Sequence, residues 1–234
     1  MYKIFFLSFS FIYLLSTATV EAQTKAQQAP VAPVDSSAVF NGLFVSADLA
    51  GPVMYAFNGD KLQTEVAIQA SFKNRFYPVL EFGLAKAEID SDEGFTFKAK
   101  PSMYFRTGLD YAIVRKQGNM FFMGLRYGVS RSNYDIYNIT QYNDYWGETQ
   151  VVDILNQKAT AQFAQVVAGI RVKIIENLYL GWDVRYNLLF STTKQPESRM
   201  WFIPGYGINN NNSSGTMMQF QITYKLPFFG KEFK

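Results

Sequence analysis

Between Leu43 and Phe228 the chain passes through about eight stretches of roughly ten residues in which large apolar side chains alternate with glycine, small polar or charged ones. Successive side chains leave a strand on opposite sides, so each stretch predicts a strand with one apolar and one polar face. Leu43, Val45, Ala47 and Leu49 oppose Gly42, Ser46 and Asp48; Val66, Ile68 and Ala70 oppose Glu65, Gln69 and Ser71. Leu80, Phe82 and Leu84 oppose Glu81 and Gly83, and Met103, Phe105, Leu109 and Tyr111 oppose Tyr104, Arg106, Gly108 and Asp110. The pattern continues with Phe121, Met123, Leu125, Tyr127 and Val129 against Gly124, Arg126, Gly128 and Ser130. It recurs with Val166, Ala168, Ile170, Val172 and Ile174 against Gln165, Gly169, Arg171 and Lys173. Leu180, Trp182, Val184, Tyr186 and Leu188 then oppose Gly181, Asp183, Arg185 and Asn187, and Met218, Phe220, Ile222, Tyr224 and Leu226 oppose Gln219, Gln221, Thr223 and Lys225.

A soluble ligand carrier would show the same alternation with its apolar face inward, so volume has to decide. Roughly thirty large apolar side chains share one parity, whereas an eight-stranded barrel has an interior only just filled by side chains of moderate size. They must point outward, and an apolar exterior of that extent calls for lipid. Gly83, Gly108, Gly124, Gly128, Gly169 and Gly181 lie on the other parity, which suits a crowded interior. The predicted fold is therefore all-β: an eight-stranded antiparallel up-and-down transmembrane barrel.

The connections alternate in length. Residues 72–77, 115–119 and 175–178 read as tight turns, and 51–63, 87–101, 132–160 and 192–215 as long loops. Outer-membrane barrels put short turns in the periplasm and long loops outside, so both ends of the barrel fall on the periplasmic side. Residues 1–22 read as a secretory signal, with Lys3, an apolar run over 4–15 and Val20-Glu21-Ala22 as the cleavage site. That run of about 12 residues is short of the about 20 that span a bilayer as a helix. Residues 23–38, rich in Gln, Ala, Pro and Val, read as a flexible periplasmic tail, and residues 39–234 as the barrel. The expected location is the bacterial outer membrane. The aromatic end Leu226-Pro227-Phe228-Phe229 is of the kind seen in barrels folded by the outer-membrane assembly machinery, an expected partner along with outer-membrane lipid.

Composition narrows this further. Apolar residues make up 48% of the 234 while the mean hydropathy is −0.07, as expected when apolar and polar positions alternate. Phe and Tyr, at 22 and 15, fit a lipid-facing wall with interfacial girdles: Phe72, Tyr77, Tyr111, Phe121 and Phe228 toward the turns, Tyr127, Phe190 and Trp201 toward the loops, with loop packing the alternative, above all for Trp201, which is also a loop interaction candidate. A net charge of +3 is too small to imply nucleic acid. With no cysteine there is no disulfide, thiol chemistry or lipid-modified cysteine.

The polar parity places Asp48, Glu65, Glu81, Asp110 and Asp183 in the interior with Arg106, Arg126, Arg171, Lys173, Arg185 and Lys225. A lone buried charge costs several kcal/mol, so near-balance of sign predicts a paired network filling the tube rather than a wide aqueous channel. Among the loops, Tyr134, Tyr137, Tyr142, Tyr145 and Trp146, with neighbouring asparagines, form an aromatic and amide-rich segment suited to an extracellular protein or glycan, or to covering the mouth. Residues 199–207, Trp201 among them, join an apolar anchor to the polar 209–212 and are expected to hold the last loop against the rim. Asp90-Ser91-Asp92-Glu93-Gly94 lacks the spacing of a calcium loop, and no metal or cofactor is predicted. Asn138 and Asn212 begin glycosylation triplets that read as chance in a bacterial export context. Without histidine or cysteine a nucleophile such as Ser130 lacks the usual base, so an enzyme is not expected.

Five strings together resemble a barrel family of Bacteroidota known as a domain of unknown function. They are Lys73-Asn74-Arg75-Phe76-Tyr77-Pro78, Tyr104-Phe105-Arg106-Thr107-Gly108-Leu109-Asp110-Tyr111, Gly124-Leu125-Arg126-Tyr127-Gly128, Leu180-Gly181-Trp182-Asp183-Val184-Arg185-Tyr186 and Trp201-Phe202-Ile203-Pro204-Gly205-Tyr206-Gly207. The resemblance implies the fold and the compartment, and no activity. The expected role is a scaffold presenting external loops for envelope stability, adhesion or partner binding, with a narrow conduit for a small or hydrophobic solute as the alternative.

Overall fold

Eight strands follow one another around a closed ring. The computed structural model describes residues 39–91, 94–143, 147–193, 200–209 and 214–227; residues 1–38, expected above to be a secretory signal and a tail, lie outside them. The wall strands are β1 (Phe40–Asp48), β2 (Lys61–Phe72), β3 (Phe76–Asp90), β4 (Thr96–Lys116), β5 (Asn119–Asn143), β6 (Glu148–Ile175), β7 (Leu178–Thr192) and β10 (Ser214–Leu226). Each pairs antiparallel with its neighbours in the chain, and β10 returns to β1 to close an up-and-down barrel. Helix α1 (Ala50–Asn58) follows β1, and a two-stranded hairpin, β8 (Phe202–Ile203) with β9 (Gly207–Ile208), lies between β7 and β10.

The turns obey local chemistry. β4 and β5 are joined by Gln117-Gly118, both at positive φ (53° and 88°), the conformation whose twist matches a two-residue hairpin. Lys73 and Asn74 (φ 49° and 54°) turn β2 into β3, and Asn177 (φ 64°) turns β6 into β7. Strand β1 begins and β10 ends at this turn end, as an even strand number requires.

The alternation sorts the side chains as the volume argument predicts: Leu125 is 65% exposed on the outer face, and Arg126 beside it is 5% exposed inside. Val66, Phe82, Met103, Met123 and Phe220 are likewise exposed, as parts of a continuous apolar belt. Within the ring, glycines make room. A methyl on Gly124 would collide with the Asp110 carboxylate, and one on Gly83 with the Tyr104 ring.

Three expectations are corrected. Residues 87–101 and 132–160 are mostly strand, because β3 to β6 run on past the belt; β5 and β6 have 25 and 28 residues, against the about 9 to 11 that cross a bilayer. Register shifts at Tyr134/Ile136 and Ile136/Ile139 break the parity there, so the alternation could not be followed. Most of 51–63 is α1 and the start of β2 rather than loop. Tyr77, expected in an interfacial girdle, is 1% exposed inside the barrel, where its ring meets Phe44 edge-on at 6.2 Å.

Candidate functional site

The interior is built in three layers. At the turn end Phe44, Tyr77, Met120, Phe122 and Val167 pack together, with Tyr179 against them. At the loop end is a larger apolar core containing Phe97, Tyr134, Ile136, Phe163, Phe202, Ile203 and Tyr206. Between them lies a charged layer.

Cross-strand register assembles that layer. Glu81 on β3 is directly opposite Arg106 on β4, and their side chains meet at 2.6 Å. Arg106 also pairs with Glu65 of β2, which accepts the Tyr104 hydroxyl at 2.8 Å. Arg126 grips Asp110 bidentately, at 2.6 and 2.9 Å, and reaches Glu81 at 3.1 Å. Arg185 joins Asp183 at 2.7 Å, Glu65 at 3.2 Å and Glu81 at 3.3 Å from the opposite wall. Glu81 thus touches three guanidinium groups, and in a low-dielectric interior such reciprocal contacts offset desolvation that no single pair would.

Arg171 sits beneath this mesh and makes no ion pair among the described residues. Its Nη2 donates to Gln69 Oε1 at 2.6 Å, and Gln69 Nε2 donates to Asp110 at 2.6 Å, so the guanidinium is linked to a carboxylate through an amide. Phe44 and Phe122 lie 5.5 and 5.9 Å from it, at cation–π range. Asp48 is buried and accepts backbone N–H groups from Ala50 and Gly51, at 3.1 and 3.0 Å.

Of the eleven interior charges read from parity, the structure buries nine; the two lysines stand apart. Lys173 is exposed at the turn end beside Gly118, and Lys225 is half-buried there; neither forms an ion pair among the described residues. Their positions correct the parity reading: so near the end of a strand, a lysine's length carries its ammonium to water.

The loop-end core receives a segment that the sequence placed against the rim. The β8–β9 hairpin enters the mouth, with Phe202 to Tyr206 all buried. The Gly205 carbonyl accepts from Arg106 Nη1 at 3.0 Å and Gln165 Nε2 at 3.1 Å, and the Tyr206 carbonyl from Asn187 Nδ2 at 2.7 Å. The turn at Gly205 (φ 78°) permits this approach: a methyl there would press into the Tyr104 ring. Alternation within 202–207 is absent, so parity gave no sign of the insertion.

The aromatic loop candidates divide. Tyr134, read as an interaction residue, is 0% exposed and packs on Phe97 at 5.1 Å. Trp201 is half-buried with its ring edge-on to Phe95 at 5.1 Å, which makes it a packing residue rather than part of a girdle. Tyr137 is half-buried and donates to Asp135 at 3.4 Å. Tyr145, Trp146 and the side chain of Tyr142 lie outside the described residues, as do Asp92, Glu93, Asn212, Phe228 and Phe229.

Beyond the belt, Asp135 holds the irregular part of the β5–β6 hairpin. It accepts the Asn156 backbone N–H at 2.7 Å, where Asn156 has φ 56°, and meets Lys100 at 3.0 Å. Burial pushes its carboxyl up, but the Asn156 N–H, Lys100 and the Tyr137 hydroxyl outweigh this and hold it below its ordinary value. Among the described residues no cluster of three or more His, Cys, Asp or Glu side chains is arranged to hold a metal ion.

The family described as "Domain of unknown function (DUF6048)" matches residues 1–231. No curated protein matches the chain. Among solved structures, Neisserial surface protein A (NspA) aligns with 10% identity and a TM-score of 0.47, over 80% of this chain and 99% of that one. Ail, the attachment invasion locus protein of Yersinia pestis, crystallised with the heparin analogue sucrose octasulfate, aligns with 9% identity and a TM-score of 0.41 over 80% and 99%. A major outer membrane protein from Thermus thermophilus aligns with 14% identity and a TM-score of 0.43 over 79% and 98%.

Proposed function

We propose that this chain, which belongs to the DUF6048 family, is an exported outer-membrane barrel of the Bacteroidota envelope, a sealed, non-enzymatic scaffold that presents a rigid β-extension to the outside for adhesion, partner binding or envelope stability. The observation that carries the reading is the reversal of polarity along the wall. In the belt, apolar side chains face out and charges face in; above it, Lys98 and Arg131 face out while Phe97 and Tyr134 face in. An exterior that changes from apolar to polar along the same strands matches a change of surroundings from lipid to water. The interior supports a scaffold over a conduit, because the charged layer lies between two apolar clusters and the inserted hairpin fills the loop end.

Two measurements test the proposal. The mature chain is expected to need detergent or lipid to stay monodisperse, and to give no steady openings above background in planar bilayers. Steady single-channel conductance would replace the scaffold with the conduit. Replacing 132–160 by a two-residue turn is expected to leave the barrel folded and remove capture of the surface partner, a protein or glycan; undiminished capture would move the binding surface elsewhere.

A further inference from the structure

Among the described residues the backbone ladder of the wall is interrupted between β1 and β10. Strand β1, at 9 residues the shortest wall strand, stops at Asp48 opposite Gln221, while β10 begins at Ser214 and is paired along its other side with β7. Among the described residues no strand pairs with 214–219 on the β1 side. Helix α1 stands in the gap instead, lying close along β2, with Val53, Met54 and Phe57 exposed. Behind it is a cavity of about 210 Å³ between α1, β10 and the inserted hairpin.

The cavity changes character from outside to inside. Met54 and Met218, 59% and 65% exposed, flank it, and methionine side chains adapt to chains of varied shape. Its inner lining includes Asp48, Glu65 and Gln219. Glu65 is paired with Arg106 and Arg185, but Asp48 is met only by the Ala50 and Gly51 N–H groups and has no cationic partner among the described residues. The layer has five buried carboxylates and four buried guanidinium groups, and Asp48 is the carboxylate that no guanidinium pairs with; the cation that lines the cavity, Lys61, is exposed to solvent and forms no ion pair with Asp48 among the described residues. Gln219, 5% exposed, leaves its Oε1 without a hydrogen-bond donor. A buried acceptor without a donor and a carboxylate without a cation call for the same group.

Resting on the membrane reading above, we infer that this lateral break is a binding site for a single-chain amphiphile with an amine head, which enters the wall sideways and leaves its tail in the lipid. The volume is below the about 300 to 1,000 Å³ of pockets that enclose whole drug-sized ligands, so the cavity takes a head and its first carbons only. The ammonium donates to Gln219 Oε1 and faces Asp48, and the alkyl chain leaves between Met54 and Met218. A fatty carboxylate is repelled by Asp48 and gives Gln219 no proton.

The test uses the full chain in phosphatidylcholine nanodiscs, titrated with dodecylamine, dodecanol and laurate and followed by native mass spectrometry. Dodecylamine is expected to saturate one site about tenfold more tightly than dodecanol, with laurate weakest. Asp48→Asn, which keeps an acceptor for one of the two helix N–H groups, is expected to erase the margin of amine over alcohol. Gln219→Leu should weaken both about tenfold, and Met54→Trp, on an exposed helix face, should block both. Equal binding of the three amphiphiles, or dodecylamine binding unmoved by Gln219→Leu and Met54→Trp, overturns the site. A chain that stays out of the nanodisc and soluble without detergent refutes the membrane reading, and the site with it.

Discussion

Strand β5 carries two regions that read as opposites. Over 120–130 the outer face is Phe121, Met123, Leu125 and Tyr127, all exposed, and the inner face includes Gly124, Arg126 and Gly128. Over 131–136 the outer face shows Arg131 and Asn133, and the inner face buries Tyr134 and Ile136. The hydrogen-bonded partners, β4 and β6, are the same in both. What differs is where the apolar side chains gain most. In the belt the interior is tiled with ion pairs that need one another, and in the extension it is an aromatic core of the kind found in soluble proteins. The lower region therefore depends on pairing and the upper on packing, and substitutions that exchange the two logics should separate them.

The largest effect is expected from breaking the pairing. Arg126→Leu leaves Asp110 without its bidentate partner and removes one of three cations around Glu81. An uncompensated buried charge costs about 3 to 5 kcal/mol, readable as a lowered urea midpoint for unfolding from vesicles, and Arg106→Leu should behave alike. An unchanged midpoint in both variants would mean that the layer is not a coupled network. Next comes a charge on the outside. Leu125→Arg, in the middle of the belt, is expected to cost about 2 to 4 kcal/mol in lipid, whereas Asn133→Arg on the outer face of the extension should cost almost nothing. Equal costs at the two positions would erase the distinction between the regions, and the membrane reading with it.

The belt was legible because parity survives along it: with volume to choose the inner face, the alternation placed Arg126, Asp183 and the interior glycines. It stopped being legible where period two is interrupted. Bulges around Tyr134 to Ile139 made the extension look like loop, Phe202 to Tyr206 of the β8–β9 hairpin are all buried and so show no alternation, and α1 interrupts the wall in a segment that reads as a long loop. Tyr77 was misplaced for a different reason. Aromatic character near a strand end suits an interfacial girdle, but Tyr77 shares the inner parity of Glu81 and Gly83, and Phe44 that of Ser46 and Asp48, and both pack in the interior cap with Phe122. The lateral break could not be read at all, because it depends on where β1 ends relative to β10, a register that neither strand encodes alone.

The smallest expected effect lies in the extension and has a pH signature that the belt should lack. Asp135 is held in its ionised form by the Asn156 N–H and Lys100, so its carboxyl titrates below its ordinary value. A carboxyl depressed in the folded state binds fewer protons there than in the unfolded chain. Its contribution is complete above the unfolded value, near 3.8, and is lost as the pH falls through the lower folded value. Asp135→Asn keeps an acceptor for Asn156 but gives up the charge, and should cost about 1 kcal/mol at neutral pH. The check is amide exchange or limited proteolysis of 131–160: the deficit of the variant should be present at pH 6 and shrink as the pH falls below about 4, where the wild type gives up the same charge. A deficit that stays constant down to pH 2.5 would assign the role of Asp135 to shape alone. A deficit that spreads to the Arg126 layer would show that extension and belt unfold as one unit, and that the boundary at Arg131 separates two solvents but not two cooperative structures.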